Sequence, residues 1–290
     1  MNNTSRTLVQ KVLGQATSDG DGVSLTRYIG TQALDMLDPF LLLDCFSSDN
    51  PDDYIRGFPS HPHRGFETVT YLLAGKMGHK DNAGNEGVIE PGGVQWMTAG
   101  KGIVHSERET FEVRANPHAI SGLQCWIALP EHMAELEPSF THVKKNELPH
   151  SIFEGVMMRL IVGEAYGLSS PVKSYSPMFY VDVVASKDSK IIKPHPTQET
   201  AIFPISGKVD VNGITYGAGE FVLLDEADSD ITMIECGRFI MLGGEKFEQV
   251  PHVHWNFVSY SEQRIEQAKD DWKNGRFPSI PGDDKEFIPL

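Results

Sequence analysis

Apolar residues in this chain come in strand-length runs, and the runs keep stopping at glycine or proline. Val23-Ser24-Leu25-Thr26-Arg27-Tyr28-Ile29 meets Gly30, Phe66–Leu73 runs on to Gly75, and Leu123–Leu129 meets Pro130. Within the runs, apolar and polar positions alternate with a period of two and β-branched or aromatic residues dominate. That pattern suits a half-buried pleated surface rather than a helix. With 27 glycines and 18 prolines to turn the chain, an all-β barrel or sandwich is the economical fold. The second half repeats the style. Thr200–Gly207 has the pattern of Val69–Gly75, and Gly217–Leu224 echoes Glu90–Met97. The chain therefore reads as two diverged copies of one β-domain, with residues 1–133 and 134–250 as the copies and the boundary in the polar Glu131–Pro149 segment. Residues 251–290 form a tail. In it, Ser259 and Glu262 have capping-box spacing, and Ile265, Ala268 and Trp272 share a face. Gly275 and Pro278 then stop a helix expected over about 260–274.

Charge narrows the partners. Twenty-five basic against 40 acidic residues give a net charge of -15, and no basic block offsets it. Phosphate backbones and anionic membranes repel such a surface, so direct nucleic-acid and membrane binding are not expected. Three scattered cysteines, Cys45, Cys125 and Cys236, form no CxxC pair and read as small hydrophobes of a reduced, cytoplasmic protein. No apolar stretch reaches membrane-spanning length. Nothing resembles a dimerisation element, so a monomer is expected.

Two short clusters carry the chemistry. His61-Pro62-His63-Arg64-Gly65-Phe66-Glu67 is followed by His105-Ser106-Glu107. On an extended strand, residues i and i+2 point the same way. His61 with His63, and His105 with Glu107, thus form two pairs that neighbouring strands can bring to one point. Pro59 and Pro62 place the first pair on an edge or rim strand, where a missing N–H does little harm. Three imidazoles and a carboxylate suit Fe(II), Cu(II), Mn(II), Ni(II) or Zn(II). By spacing alone the carboxylate is Glu107 or Glu67; Glu67 also reads as an acceptor for a ligand's N–H or as a surface residue beside Arg64. His79 reads as a rim or surface histidine, His118, His132, His142 and His150 as solvated, and the His252/His254 pair has no matching partner. The second copy keeps only His195 near the place of the first pair, so one copy holds the site and the other is structural.

These motifs, together with Leu37–Asp44 and Pro91–Glu107, closely resemble the pirin family within the bicupin fold. The resemblance implies two cupin barrels in tandem with one iron in the N-terminal domain. It places the ligands on His61, His63, His105 and Glu107. It also implies one of two roles. Some members look like quercetin 2,3-dioxygenases, which open a flavonol ring and release carbon monoxide; others are regulatory partners of transcription factors or metabolic enzymes. For the enzyme reading, Glu107 is the candidate base and His63 the indispensable ligand. Phe46, Phe58, Phe66, Met77, Trp96 and Met97 are candidate pocket walls, with Asp44 and Arg64 at the entrance.

Overall fold

The computed structural model describes residues 10–108, 114–115, 117–225, 230–283 and 285–290. These divide into two compact units. One comprises Ala16–Arg27, Phe40–Lys145 and Phe247–Leu290; the other holds Tyr28–Pro39, Asn146–Lys246 and the described residues up to Gln15. Both are β-barrels of the double-sheet kind, as the alternating runs require.

In the first barrel, a four-stranded sheet carries the histidines. Its strands are β1 (Phe58–His63), β2 (Met77–Asp81), β3 (Glu86–Ile89) and β4 (Ile103–Arg108), in the spatial order β1-β4-β2-β3. Strand β1 lies at the sheet's edge, where Pro59 and Pro62 cost no ladder bond. The second sheet centres on Phe66–Ala74, which pairs with Val94–Thr98 on one side and Ile120–Ala128 on the other. Its inward side chains include Leu72, packed with Met77 and Ile89, and Thr70, Gln124 and Trp126, which face the histidine-bearing sheet.

The other unit repeats the plan. Glu199–Ser206 lies between Phe221–Leu223 and Gly237–Gly244. A four-stranded sheet runs in the order Lys190–Ile191, Ile231–Met233, Lys208–Val211, Ile214–Gly217, matching β1-β4-β2-β3. The match extends to register. Gly75 and Gly207 turn the chain at the same place against the neighbouring strand, and counting on from them His79 corresponds to Val211. Where His79 faces Glu107, the second barrel has Val211 facing Ile231. Its interior at these positions is apolar and buried.

The units divide within the Glu131–Pro149 segment, after Lys145, and the segment also holds a strand, Ser139–Val143, paired with Val94–Thr98. One sequence expectation needs correcting. The tail helix α1 spans Glu262–Lys273 with Ser261 as N-cap. Ser259 instead closes the strand Phe257–Ser259, and its Oγ accepts the Ser261 N–H. The buried face of α1 is Ile265 and Ala268, packed with Val104 and Phe257. No helix among the described residues is long and apolar enough to cross a membrane.

Candidate metal centre

His61, His63 and His105 converge in the first barrel. One ring nitrogen from each lies within 4.8 Å of the others, and the ring centroids are 4.3–4.8 Å apart. Strand geometry does this directly: His61 and His63 share a face of β1, and His105 is the antiparallel partner of His61 on β4. All three are buried. Burial drives their pKa values down from the ordinary imidazole value, and for His63 and His105 well below it, with neighbouring imidazoles adding to the effect. They are neutral lone-pair donors at neutral pH, the form a metal takes. His61 Nδ1–H donates to the Pro59 carbonyl at 2.7 Å, which leaves Nε2 bare. His63 Nδ1 and His105 Nε2 are buried with no hydrogen-bond partner in the protein. Unsatisfied buried nitrogens on converging rings are costly unless something fills the space between them. A divalent metal fits that requirement.

Glu107 is buried and lines the same cavity as His61 and His63, but its carboxylate is not part of the three-nitrogen cluster. Its Oε1 accepts from Thr70 Oγ1 at 2.9 Å and its Oε2 from Gln124 Nε2 at 3.4 Å. A β-bulge explains the offset. His105 pairs with His61, yet Glu107 pairs with Phe58, one residue beyond a regular ladder, and a bulge re-aims the side chains around it. Burial raises the Glu107 pKa, against the pull of nearby His79 and the Thr70 and Gln124 hydrogen bonds.

Glu67 is fully buried rather than at the surface, and its Oε1 accepts from Trp96 Nε1 at 2.9 Å and Thr98 Oγ1 at 2.7 Å. Arg64 does not gate the entrance. It donates to the Lys101 carbonyl and to Asp271 of α1, and its guanidinium sits 4.4 Å above the Phe277 ring. His79 is not a rim residue: it is 3 % exposed. His118, His132 and His150 are exposed, and His195 meets the Glu164 carbonyl.

A cavity of about 40 Å³ opens onto His61 and His63. Phe46, Phe58 and Asp44 line it as the sequence implied. Phe66, Met77, Trp96 and Met97 do not; they pack in the core or, for Phe66, against the His63 and Trp126 rings. Sequence reading missed Asp19, Leu25, Gln124, Trp126, Trp255, Asn256 and Ile288, which complete the wall. At the mouth, Arg27 binds Asp44 at 2.7 Å and approaches Asp19 at 3.6 Å.

The fold has counterparts among known proteins. The family model described as Pirin matches residues 22–127, and the one described as Pirin C-terminal cupin domain matches residues 180–278. A pirin-like protein of Caulobacter vibrioides is 39% identical over 277 residues, covering 94% of this chain and 99% of the relative. The chain belongs to the pirin family. Among solved structures, a quercetin 2,3-dioxygenase from Acinetobacter baumannii superposes on this pirin-family chain with a TM-score of 0.84 at 29% identity. That match covers 97% of this chain and 94% of the other. A bacterial pirin from Escherichia coli, solved in complex with nickel(II), has a TM-score of 0.65 at 18% identity over 83% of this chain and all of its own. At that identity it supports the shared fold alone.

Proposed function

We propose that this pirin-family chain is an iron-dependent dioxygenase that opens quercetin-like flavonols. The observation that carries the reading is the trio of buried, converging imidazoles, two of which face a cavity that also holds the Glu107 carboxylate. Likeness to the Acinetobacter enzyme supports the reaction class. His61, His63 and His105 would hold Fe(II), with Glu107 as the fourth ligand once its carboxylate turns from Thr70. Bound iron would supply Lewis acidity toward the flavonol 3-hydroxyl and the redox partner that O2 chemistry needs. The chain supplies the rest. Glu107, its pKa raised by burial, takes the 3-hydroxyl proton. Phe46, Phe58, Leu25 and Trp126 give the flat ring system an apolar wall. Asp44 at the mouth is paired with Arg27, which leaves Asp19 as the excess negative charge there and favours a neutral polyphenol over an anionic substrate.

Room is the constraint. A cavity of about 40 Å³ accepts an ion and a little water, whereas small-molecule pockets run to roughly 300–1,000 Å³. A flavonol must displace Ile288 and Trp255. Ile288→Ala is therefore expected to raise kcat/KM for quercetin about tenfold, since roughly 1–2 kcal/mol of apolar packing no longer has to be broken. Metal affinity should not change. Unaltered kcat/KM would mean that the substrate enters elsewhere or is smaller.

The defining experiment strips the protein, reloads it with Fe(II), and follows oxygen uptake and carbon monoxide release with quercetin. One CO per O2 consumed is expected. A tightly held iron with no turnover would overturn the enzyme reading. The same small cavity favours a second reading, in which the chain is an iron-binding regulatory partner of a transcription factor or metabolic enzyme. That negative result would make it the working one, to be pursued by pull-down.

A further inference from the structure

We propose that His79 and Asp81 are a positioning pair that fixes the tautomer and orientation of His105. The proposal rests on the reading of His105 as a metal ligand. Both residues lie on β2, two apart and on one face, opposite Glu107 and His105 of β4. Both are buried. Asp81 Oδ2 lies 3.3 Å from His79 Nε2, and His79 Nδ1 lies 3.4 Å from His105 Nδ1.

Proton positions follow from the donor inventory. A carboxylate only accepts, so His79 Nε2 carries a proton and donates it to Asp81. In the form with a single N–H, His79 Nδ1 is bare and accepts from His105 Nδ1–H. His105 Nε2 is then the bare nitrogen, and it is the one buried without a partner. The chain is anchored at both ends. Asp81 Oδ1 accepts the backbone N–H groups of Ala83 and Asn85, and its Oδ2 accepts from Asn85 Nδ2 at 2.8 Å. Phe140 stacks on the His79 ring at 4.2 Å and 11°. A carboxylate aligning a ligating imidazole is a common way to set ligand basicity and ring angle; here a second imidazole extends the reach.

The other barrel argues that the pair does not serve the fold. At the register position of His79 it carries Val211, opposite Ile231 where the first barrel has Glu107, and its strand has already turned at Gly213 where Asp81 would stand. The same sheet thus closes with apolar side chains. Burying an imidazole and a carboxylate instead is costly, and the cost is met only in the barrel that has the histidine triad.

The test titrates metal-stripped full-length protein with Ni(II) against a competing chelator, and reads His105 by 15N NMR of the metal-free protein. Wild type should show His105 protonated at Nδ1. His79→Phe keeps the ring and its stack on Phe140 but removes the acceptor. It should weaken Ni(II) affinity roughly 10–100-fold and mix the His105 tautomers. His79→Gln, which retains one donor and one acceptor, should recover most of the affinity. Asp81→Asn turns an acceptor into a donor toward His79 and should reproduce the loss if His79→Phe does not fold. Wild-type affinity and an unchanged His105 tautomer in the folded variants would overturn the proposal. Failure of the wild type itself to bind Ni(II) would instead remove the metal-site reading, and this inference with it.

Discussion

Replacing His63 by alanine is expected to abolish tight metal binding and, with it, flavonol turnover. The three imidazoles are the converging donors among the described residues, and Glu107 is held aside by Thr70 and Gln124. Loss of one leaves two nitrogens, and affinity should fall by more than the roughly 10–100-fold typical of an outer partner. The fold should tolerate the change better than the site does. His63 contributes ring contacts with Phe66 and Trp126, but its Nδ1 is a buried nitrogen without a partner, and deleting it relieves a desolvation cost. The check is a pair of melting curves with and without Ni(II). Metal at a hundred times its Kd stabilises a binding-competent protein by about 2.7 kcal/mol, an upward shift of several degrees for a domain of this size. Wild type should show it and His63→Ala should not, while the metal-free curves stay close. A metal-dependent shift retained in His63→Ala would sink the assignment. A metal-free collapse would say that His63 is structural first.

Much of this was legible in the chain because it depends on period alone. Alternation in Val69–Leu73 and Leu123–Leu129 fixes which side chains face inward, and the i, i+2 rule puts His61 and His63 on one face without knowledge of any neighbour. The remainder depends on pairing between distant segments. His79 looks peripheral beside its turn, yet it is buried because β2 lies between β3 and β4, so that His79 faces Glu107 directly. The bulge that shifts Glu107 is a property of the β1–β4 ladder, invisible in either strand by itself. Trp255, Asn256 and Ile288 reach the cavity from the far end of the chain. Ser259 had the right spacing for a cap, but it closes a strand and Ser261 begins the helix.

The tail's hold on the metal barrel comes to a point at Gly65, and Gly65→Ala is expected to cost about 3–5 kcal/mol. Gly65 has φ of +90°, and a non-glycine residue held in such a region pays roughly 1–3 kcal/mol in strain. The added methyl would also meet the Val258 carbonyl oxygen at 1.8 Å, and a backbone atom cannot rotate away as a side chain can. The tail strand would have to move. That breaks the Val258 N–H bond to the Arg64 carbonyl and the Arg64 N–H bond to Asn256, each worth about 1 kcal/mol. The effect should reach the site, because Asn256 and Trp255 wall the metal cavity and Phe257 packs beneath α1. Expected results are a lower melting temperature, faster proteolysis within residues 247–290, and weakened Ni(II) binding, although no ligand has been touched. Arg64→Ala is the comparison: it removes the Asp271 bond and the Phe277 contact but leaves the backbone approach intact, so it should loosen α1 with a smaller loss. Equal stability of Gly65→Ala and wild type would show that the Arg64–Val258 approach is not what pins the tail.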